Sequence, residues 1–327
     1  MTKVPSDLLE ALAIDRSEIL RIDMLGGGVS ADIWRIDLSH KSIVVKQARS
    51  SFKVEADWQV SPRRILSEIA WHNFVRSFLP GSVPGIIAVA PEYNAFSMDL
   101  LDYPLWKSEL LKGHVEPQFA EQVAQQLATI HSMSITRSEV QEQFAYDDLF
   151  VAQRVEPYFL STADKNVEIR DTLRELGKSV LLTKRALMHG DISPKNILLG
   201  RNGPVFLDAE TACYGDPAFD MAFCLTHLML KALLKPDRLP LLMQSVRIML
   251  AAYLSSVDWE GIDHLAERIT RLLPAIMLAR VDGKSPVEYL DSKQQALVRN
   301  YCVISIKAGV TDMDRFVNNW TDEILQI

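Results

Sequence analysis

Leu187-Met188-His189-Gly190-Asp191-Ile192-Ser193-Pro194-Lys195-Asn196-Ile197-Leu198-Leu199, followed after a short break by Val205-Phe206-Leu207-Asp208-Ala209-Glu210, is the stretch on which the reading of this chain turns. A carboxylate at Asp191, an amide at Asn196 and a second carboxylate at Asp208 stand in that order between two apolar, strand-like runs. Phosphoryl transfer needs such groups. One carboxylate takes the proton of an attacking hydroxyl, while an amide and a second carboxylate hold magnesium against nucleotide phosphates. Each residue also has an ordinary reading. Asp191 can cap a loop, Asn196 can bond its own backbone in a turn, and Asp208 can close a strand.

Upstream, residues 1–20 carry helical spacing, with Leu8, Leu9, Leu12 and Ile19 on one face. Alternation then takes over. Ile22, Met24, Ile33, Trp34, Ile36 and Leu38 predict two strands around Gly26-Gly27-Gly28, and Ser42 to Gln47 predicts a third, rich in β-branched residues. Residues 61–79 read as a helix with Pro62 in its first turn, where a missing N–H costs little. Pro80-Gly81, Pro84-Gly85 and Pro91 punctuate a loop, with strands at Ile86 to Ala90 and Ala95 to Leu100. Downstream, Gln118 to Ser132, Leu149 to Phe159 and Val167 to Gly177 are helical. Helices then run to the end, marked by Met221, Leu225 and Leu228 and by Leu265, Ile269, Leu272 and Leu273. The expected fold class is α+β, with a small mixed-sheet unit over 1–100 and a larger, mainly helical unit over 101–327.

His189-Gly190-Asp191 and Asp208-Ala209-Glu210 resemble the catalytic and metal loops of the protein-kinase-like superfamily, which protein kinases write H-R-D-x-x-x-x-N and D-F-G. Gly190, Ser193, Glu210 and the run Gly215-Asp216-Pro217-Ala218-Phe219-Asp220 resemble the aminoglycoside phosphotransferase and choline kinase branch, which phosphorylates small-molecule hydroxyls. The resemblance covers about Leu25 to Asp220; the last third fits as a generic helical extension. It implies a bilobal kinase-like fold, ATP and Mg²⁺ as cofactors, a nucleotide-binding first lobe, and a second lobe that carries catalysis and the acceptor site.

The same resemblance distributes roles. Asp191 is the implied catalytic base; Asn196, Asp208 and Glu210 are the implied metal ligands, although Glu210 reads equally well as a surface acid. Lys46 ends a β-branched strand, as the phosphate-contacting lysine of protein kinases does. Glu68, 22 residues on, is its expected partner in preference to Glu55, because Glu68 shares an amphipathic helix with Ile65, Ile69 and Phe74. Arg63 and Arg64, at the start of that helix, read as solvated. Gly26, Gly28 and Ser30, in the pattern G-x-G-x-x-A, would approach phosphate oxygens, the alternative being a tight hairpin turn. Ser193 joins the nucleotide contacts, and the backbone of Asp99 and Leu101 would read the adenine edge. His189 and His131 read as structural, and Asp220 as a brace for the catalytic-loop backbone.

Composition narrows the partners. The chain has 327 residues, 48% of them hydrophobic, and a net charge of −7. It lacks a long Lys/Arg run, which argues against nucleic acid. Cys213, Cys224 and Cys302 are few and scattered, so a disulfide framework is not expected and a reducing cytoplasm is. The first residues lack the apolar core of a signal peptide. The apolar stretch Met221 to Leu234 is interrupted by His227 and Lys231, so no membrane span is expected. Oligomeric state is left open. The partner is a small-molecule hydroxyl acceptor whose charge the sequence does not choose. Asp147, Asp148 and Glu156 would suit a cation unless they form a solvated face. Arg280 and Lys284 would suit an anion unless they sit in a helix connector. The alternatives are a sugar kinase of the methylthioribose or fructosamine type, a protein kinase, and a non-catalytic nucleotide-binding protein.

Overall fold

The computed structural model describes residues 4–26, 30–49 and 60–326; Gly28 and Glu55 lie outside the described residues. The chain divides into two compact units, Met1–Tyr103 with Val205–Thr211, and Pro104–Pro204 with Ala212–Ile327.

The first unit contains helix α1 (Ser6–Ala11), strands β1 (Ile19–Met24), β2 (Ala31–Leu38) and β3 (Ser42–Ala48), helix α2 (Arg64–Arg76), and strands β4 (Ile86–Ala90) and β5 (Ala95–Asp99). The sheet order is β1-β2-β3-β5-β4. All four ladders are antiparallel, where a mixed sheet was expected. The connections explain this. Three of the four pairs are chain neighbours with only a few residues between them, which antiparallel strands permit and parallel strands do not.

Strand periodicity sends alternate residues of β3 to opposite faces. Ile43 and Val45 enter a cluster with Leu8, Leu9, Leu12, Trp34 and Ile36. On the other face Ala48 and Phe96 pack against Ile65 and Ile69 of α2. Lys46 therefore projects toward α2. Ile19, expected on the N-terminal helix, instead opens β1. The helix stops at Ala11, Ala13 takes φ +53°, and Asp15 caps a new short turn by accepting the Ser17 N–H at 2.8 Å. The segment Val205–Thr211 is bound into this unit by a Phe206 N–H to Ser82 carbonyl bond (2.8 Å) and by an edge-on Trp71–Phe206 contact.

In the second unit, α3 (Trp106–Lys112), α4 (Pro117–Ile135), α5 (Ser138–Gln143) and α6 (Asp147–Phe150) lead into a π-helix, Val151–Leu160. An ordinary helix was expected there. Pro157 has no N–H to give the carbonyl four residues back, so the α ladder cannot run through it and the turn widens. Then come α7 (Ser161–Lys165), α8 (Arg170–Leu182), β6 (Ala186–Met188), β7 (Ile197–Gly200), β8 (Gly203–Phe206, of which Val205 and Phe206 count with the first unit) and β9 (Cys213–Gly215). The chain ends in α9 (Pro217–Leu234), α10 (Leu239–Ser255), α11 (Ile262–Asp282), α12 (Ser292–Lys307) and α13 (Met313–Leu325). β6 pairs antiparallel with β9.

Helix α9 is the axis of this unit. Asp216 caps it by accepting the Ala218 N–H (3.0 Å), and Pro217 occupies its first position. By length and composition α9 passes as a membrane span, with mean hydropathy 1.3, contrary to the expectation from its charged residues. It is instead a core helix: 94% of that window is buried, against α10 and α11.

Candidate active site

The first unit holds a buried charge cluster. Lys46 Nζ donates to Glu68 Oε2 at 2.6 Å and also to Asp208 Oδ1. β3 and α2 deliver the first two residues. Asp208 arrives from a segment 162 residues away from Lys46, on a backbone with φ +65°, a region few non-glycine residues enter. Burial works to lower the Lys46 pKa, but the charges of Asp208, Glu68 and Glu210 outweigh it and hold the ammonium above its ordinary value.

Arg64, expected in solvent, is wholly buried. Its Nε donates to Glu210 Oε2 at 3.0 Å, and its Nη atoms donate to the carbonyls of Ser30, Arg49, Val60 and Ser61 at 2.5–3.1 Å. Helical spacing signals that this position exists; only the fold supplies acceptors for all three nitrogens. Glu210 is accordingly buried and is not a surface acid. Arg64→Met should destabilise the protein by about 3–5 kcal/mol, because it strands a buried carboxylate and several carbonyls. Urea denaturation with intrinsic tryptophan fluorescence measures this; a midpoint unchanged from wild type would refute it.

Among the described residues, three carboxylates (Glu68, Asp208, Glu210) face two cations (Lys46, Arg64). Burial pushes the Glu68 carboxyl up to about 7 against the pull of Lys46. Burial and the Asp208 charge raise Glu210 as well. The cluster carries more carboxylates than cations, and carboxylate oxygens are the hard ligands that Mg²⁺ takes. Among the described residues no group of three or more His, Cys, Asp or Glu side chains could cage a metal. A Mg²⁺ fits only as one that also binds phosphate oxygens.

The second unit holds Asp191, which is 5% exposed. Arg154 Nη2 lies 3.0 Å from its Oδ1 and Lys195 Nζ 3.0 Å from its Oδ2. The Asn196 amide donates to Asp191 Oδ2 (2.9 Å) and to its carbonyl (3.0 Å), which leaves the amide oxygen of Asn196 for other work. The backbone is fixed with equal care. Asp220, on α9, accepts the N–H groups of His189 and Gly190, each at 2.7 Å, and Gly190 adopts φ +76°, which suits glycine. His189 Nδ1 accepts the Asp191 N–H (3.1 Å), and His131 lies between Asp220 (3.3 Å) and the Tyr253 hydroxyl (2.7 Å). Asp220→Ala should cost about 2–4 kcal/mol by leaving two buried N–H groups without an acceptor. Hydrogen exchange should then quicken at the His189 and Gly190 amides; unchanged protection there would contradict the brace.

The remaining sequence-derived candidates divide. Ser30 is buried, with its carbonyl bonded to Arg64 and its hydroxyl to Glu210. At Gly26 an added Cβ would meet nothing within 4 Å, so no protein neighbour requires glycine there. The Asp99 N–H is engaged by the Gly85 carbonyl (2.9 Å), and Leu101 is half-buried beyond the end of β5. Ser193 is fully buried and its hydroxyl has no partner among the described residues. Arg154 was not anticipated. It lies 37 residues before Asp191 in a polar insert, and Pro157 was the available sign of an irregular helix.

A family model described as the phosphotransferase enzyme family matches residues 22–261. The chain belongs to that family. A methylthioribose kinase of Exiguobacterium sibiricum is 25% identical over 260 residues, 71% of this chain and 66% of that protein, so the chain spans just under two thirds of this curated relative. Among solved structures, an amicoumacin kinase in complex with AMP-PNP, Ca²⁺ and Ami superposes with TM-score 0.59 at 11% identity, covering 98% of this chain and 94% of that one. An ethanolamine kinase of Plasmodium vivax gives 0.51 at 16% identity, covering 98% and 84%. The phosphotransferase family fold is thus the kinase-like fold expected from the loops around Asp191 and Asp208.

Proposed function

We propose that the protein is an ATP-dependent phosphotransferase that moves the γ-phosphoryl group to a hydroxyl of a small molecule, in a cytoplasmic setting. The observation that carries this reading is Lys46, ion-paired at once to Glu68 and Asp208 in a chain of the phosphotransferase family. In the proposal Met1–Tyr103 with Val205–Thr211 is the nucleotide-binding unit, and the helical remainder carries catalysis and the acceptor. Lys46 meets nucleotide phosphates as a point charge fixed by Glu68. Gly26, Gly28, Ser30 and Ser193 are assigned to phosphate contact, and the backbone groups of Asp99 and Leu101 to the adenine edge. Asn196, Asp208 and Glu210 would each offer an oxygen to Mg²⁺. When bound, the metal neutralises charge on the β- and γ-phosphates. Asp191 accepts a hydrogen bond from the acceptor hydroxyl and orients it in line with the phosphorus; the work is positional and electrostatic.

The three cysteines are buried and unpaired, which suits a reducing compartment. A second reading, a sugar kinase of the methylthioribose type, is supported by the similarity to methylthioribose kinase. ADP formation across amino alcohols, aminoglycosides, sugars and hydroxy acids tests both. No acceptor-dependent ADP, together with no Mg-ATP binding, would defeat the proposal.

A further inference from the structure

A line of side chains runs away from Asp191 through the second unit. Arg154, 3.0 Å from the Asp191 carboxylate, lies over the rings of Phe223 (5.4 Å) and Tyr158 (5.6 Å). Phe223, His227 and Lys231 follow at intervals of four on one face of α9, the spacing that stacks side chains along a helix. The His227 ring is 5.3 Å from Phe223. Arg280, from α11, lies 5.8 Å over the Tyr158 ring and donates to its hydroxyl at 2.8 Å. The line ends where the Lys231 ammonium sits 5.4 Å from the Tyr289 ring.

Arg280 Nη1 also donates to Ser285 Oγ at 3.2 Å, but other polar atoms along the line are without partners among the described residues. Lys231 is 2% exposed and has no carboxylate partner among the described residues. Arg280 Nε, His227 Nε2 and the Tyr289 hydroxyl are buried atoms with no hydrogen-bond partner there. Lysine and arginine side chains can only donate. Buried polar atoms are normally paired, and an unpaired set calls for an explanation. Nearby charge does not supply one. Lys107 and Lys195 add to the positive side, and Glu288 is taken by Lys107 at 3.0 Å. Lys284 is drawn off to Glu156 at 2.5 Å. A multi-oxygen anion would satisfy Lys231, Arg280, His227 and Tyr289 together.

We infer that the acceptor is a hydroxylated organic anion, its carboxylate or phosphate held by Lys231, Arg280, His227 and Tyr289, its hydroxyl presented to Asp191. The inference rests on the phosphotransferase reading and names its substrate class. The acceptor oxygen bonds to the γ-phosphorus, and the bond from that phosphorus to the β,γ-bridging oxygen breaks. ADP leaves with the electron pair, and the hydroxyl proton departs by way of Asp191. The products are a phosphate monoester of the anion and ADP. Cationic amines are disfavoured by the same cluster.

Burial, reinforced by Lys107 and Arg280 and opposed by Cys224 and Glu288, lowers the Lys231 pKa to about 7; burial, with the charges of Arg280, Lys231, Lys195 and Lys107, keeps His227 well below its usual value. An anion binds the charged ammonium, so affinity should be greatest below that pH and fall as pH rises through it. In the unfolded chain Lys231 holds its proton to about pH 10.4. The ligand-free protein therefore bears the full cost of this charge below about pH 7, and the cost fades toward pH 10.4. Lys231→Met should raise the melting temperature of the ligand-free protein, most at low pH.

The test is calorimetric titration of the full chain, with Mg-ADP present, using malonate and inorganic phosphate as probes. The expected result is binding of at least one probe, weakened about tenfold or more by Lys231→Met and by Arg280→Gln, and weakened in wild type as pH rises from about 6 to about 9. Preference for malonate assigns a carboxylate, and preference for phosphate a phosphate monoester. Absence of binding by both probes, or equal binding in wild type and both variants, overturns the inference. So does ADP formation with neutral or cationic acceptors alone. Mg-ATP titration in the same preparations separates the two readings. Lost nucleotide binding with anion binding intact sinks the phosphotransferase proposal, and the reverse sinks only the anionic acceptor.

Discussion

Asp191→Ala should lower kcat by about a thousandfold while Mg-ATP affinity stays within about threefold of wild type. The carboxylate belongs to the helical unit, whereas Lys46 and Glu68 belong to the proposed nucleotide-binding unit. Its loss removes the acceptor for the substrate hydroxyl and leaves Arg154 and Lys195 facing each other without the charge that separates them. Asp191→Asn isolates the chemistry. It keeps the shape and an acceptor for the Asn196 amide, which binds Asp191 Oδ2 at 2.9 Å, but it takes away the anion. Both variants should lose turnover, and the asparagine form should unfold closer to wild type. Initial rates of ADP formation with the best acceptor, alongside nucleotide titration, measure this. Turnover within about tenfold of wild type in Asp191→Asn would remove Asp191 from the base role.

Asp208→Ala should weaken binding of Mg-ATP by at least about 10–100-fold and affect metal-free ATP far less. In the proposal Asp208 is the anionic metal ligand, and in the structure it also shares Lys46 with Glu68. Removing it returns Lys46 to Glu68 alone, so the lysine stays available to phosphate. The metal-dependent part of the affinity is what should disappear. Titrations of ATP with Mg²⁺ and with a chelator give the difference directly. Equal loss in both would mean that Asp208 acts through Lys46 rather than through the metal.

Much of this molecule can be read in one dimension. The β-branched run Ser42 to Gln47 folds as β3, and the residues around Asp191 and Asp208 pointed to the family. Glu68 could be picked over Glu55 because helical spacing sets it beside Ile65 and Ile69, on the face that meets Ala48 and Phe96. The misses share a cause. Arg64 looked solvated because an arginine at a helix start has no local reason to be buried; its acceptors come from four separate backbone positions and from Glu210, 146 residues away. Arg154 left no mark near Asp191. Helix α9 read as too polar to span a bilayer because His227 and Lys231 interrupt it; both lie buried inside the unit.

Local order, then, was set by the sequence alone: hydrophobic periodicity fixes element type, and motif spacing fixes which carboxylates and amides share a loop. Tertiary structure decided which charges meet. It bound the segment carrying Asp208 and Glu210 to the sheet of Lys46, put Arg154 against Asp191, and buried Lys231 and His227 of α9. Electrostatic partnership depends on distance through space and on burial, and neither quantity is written in the separation of residues along a chain.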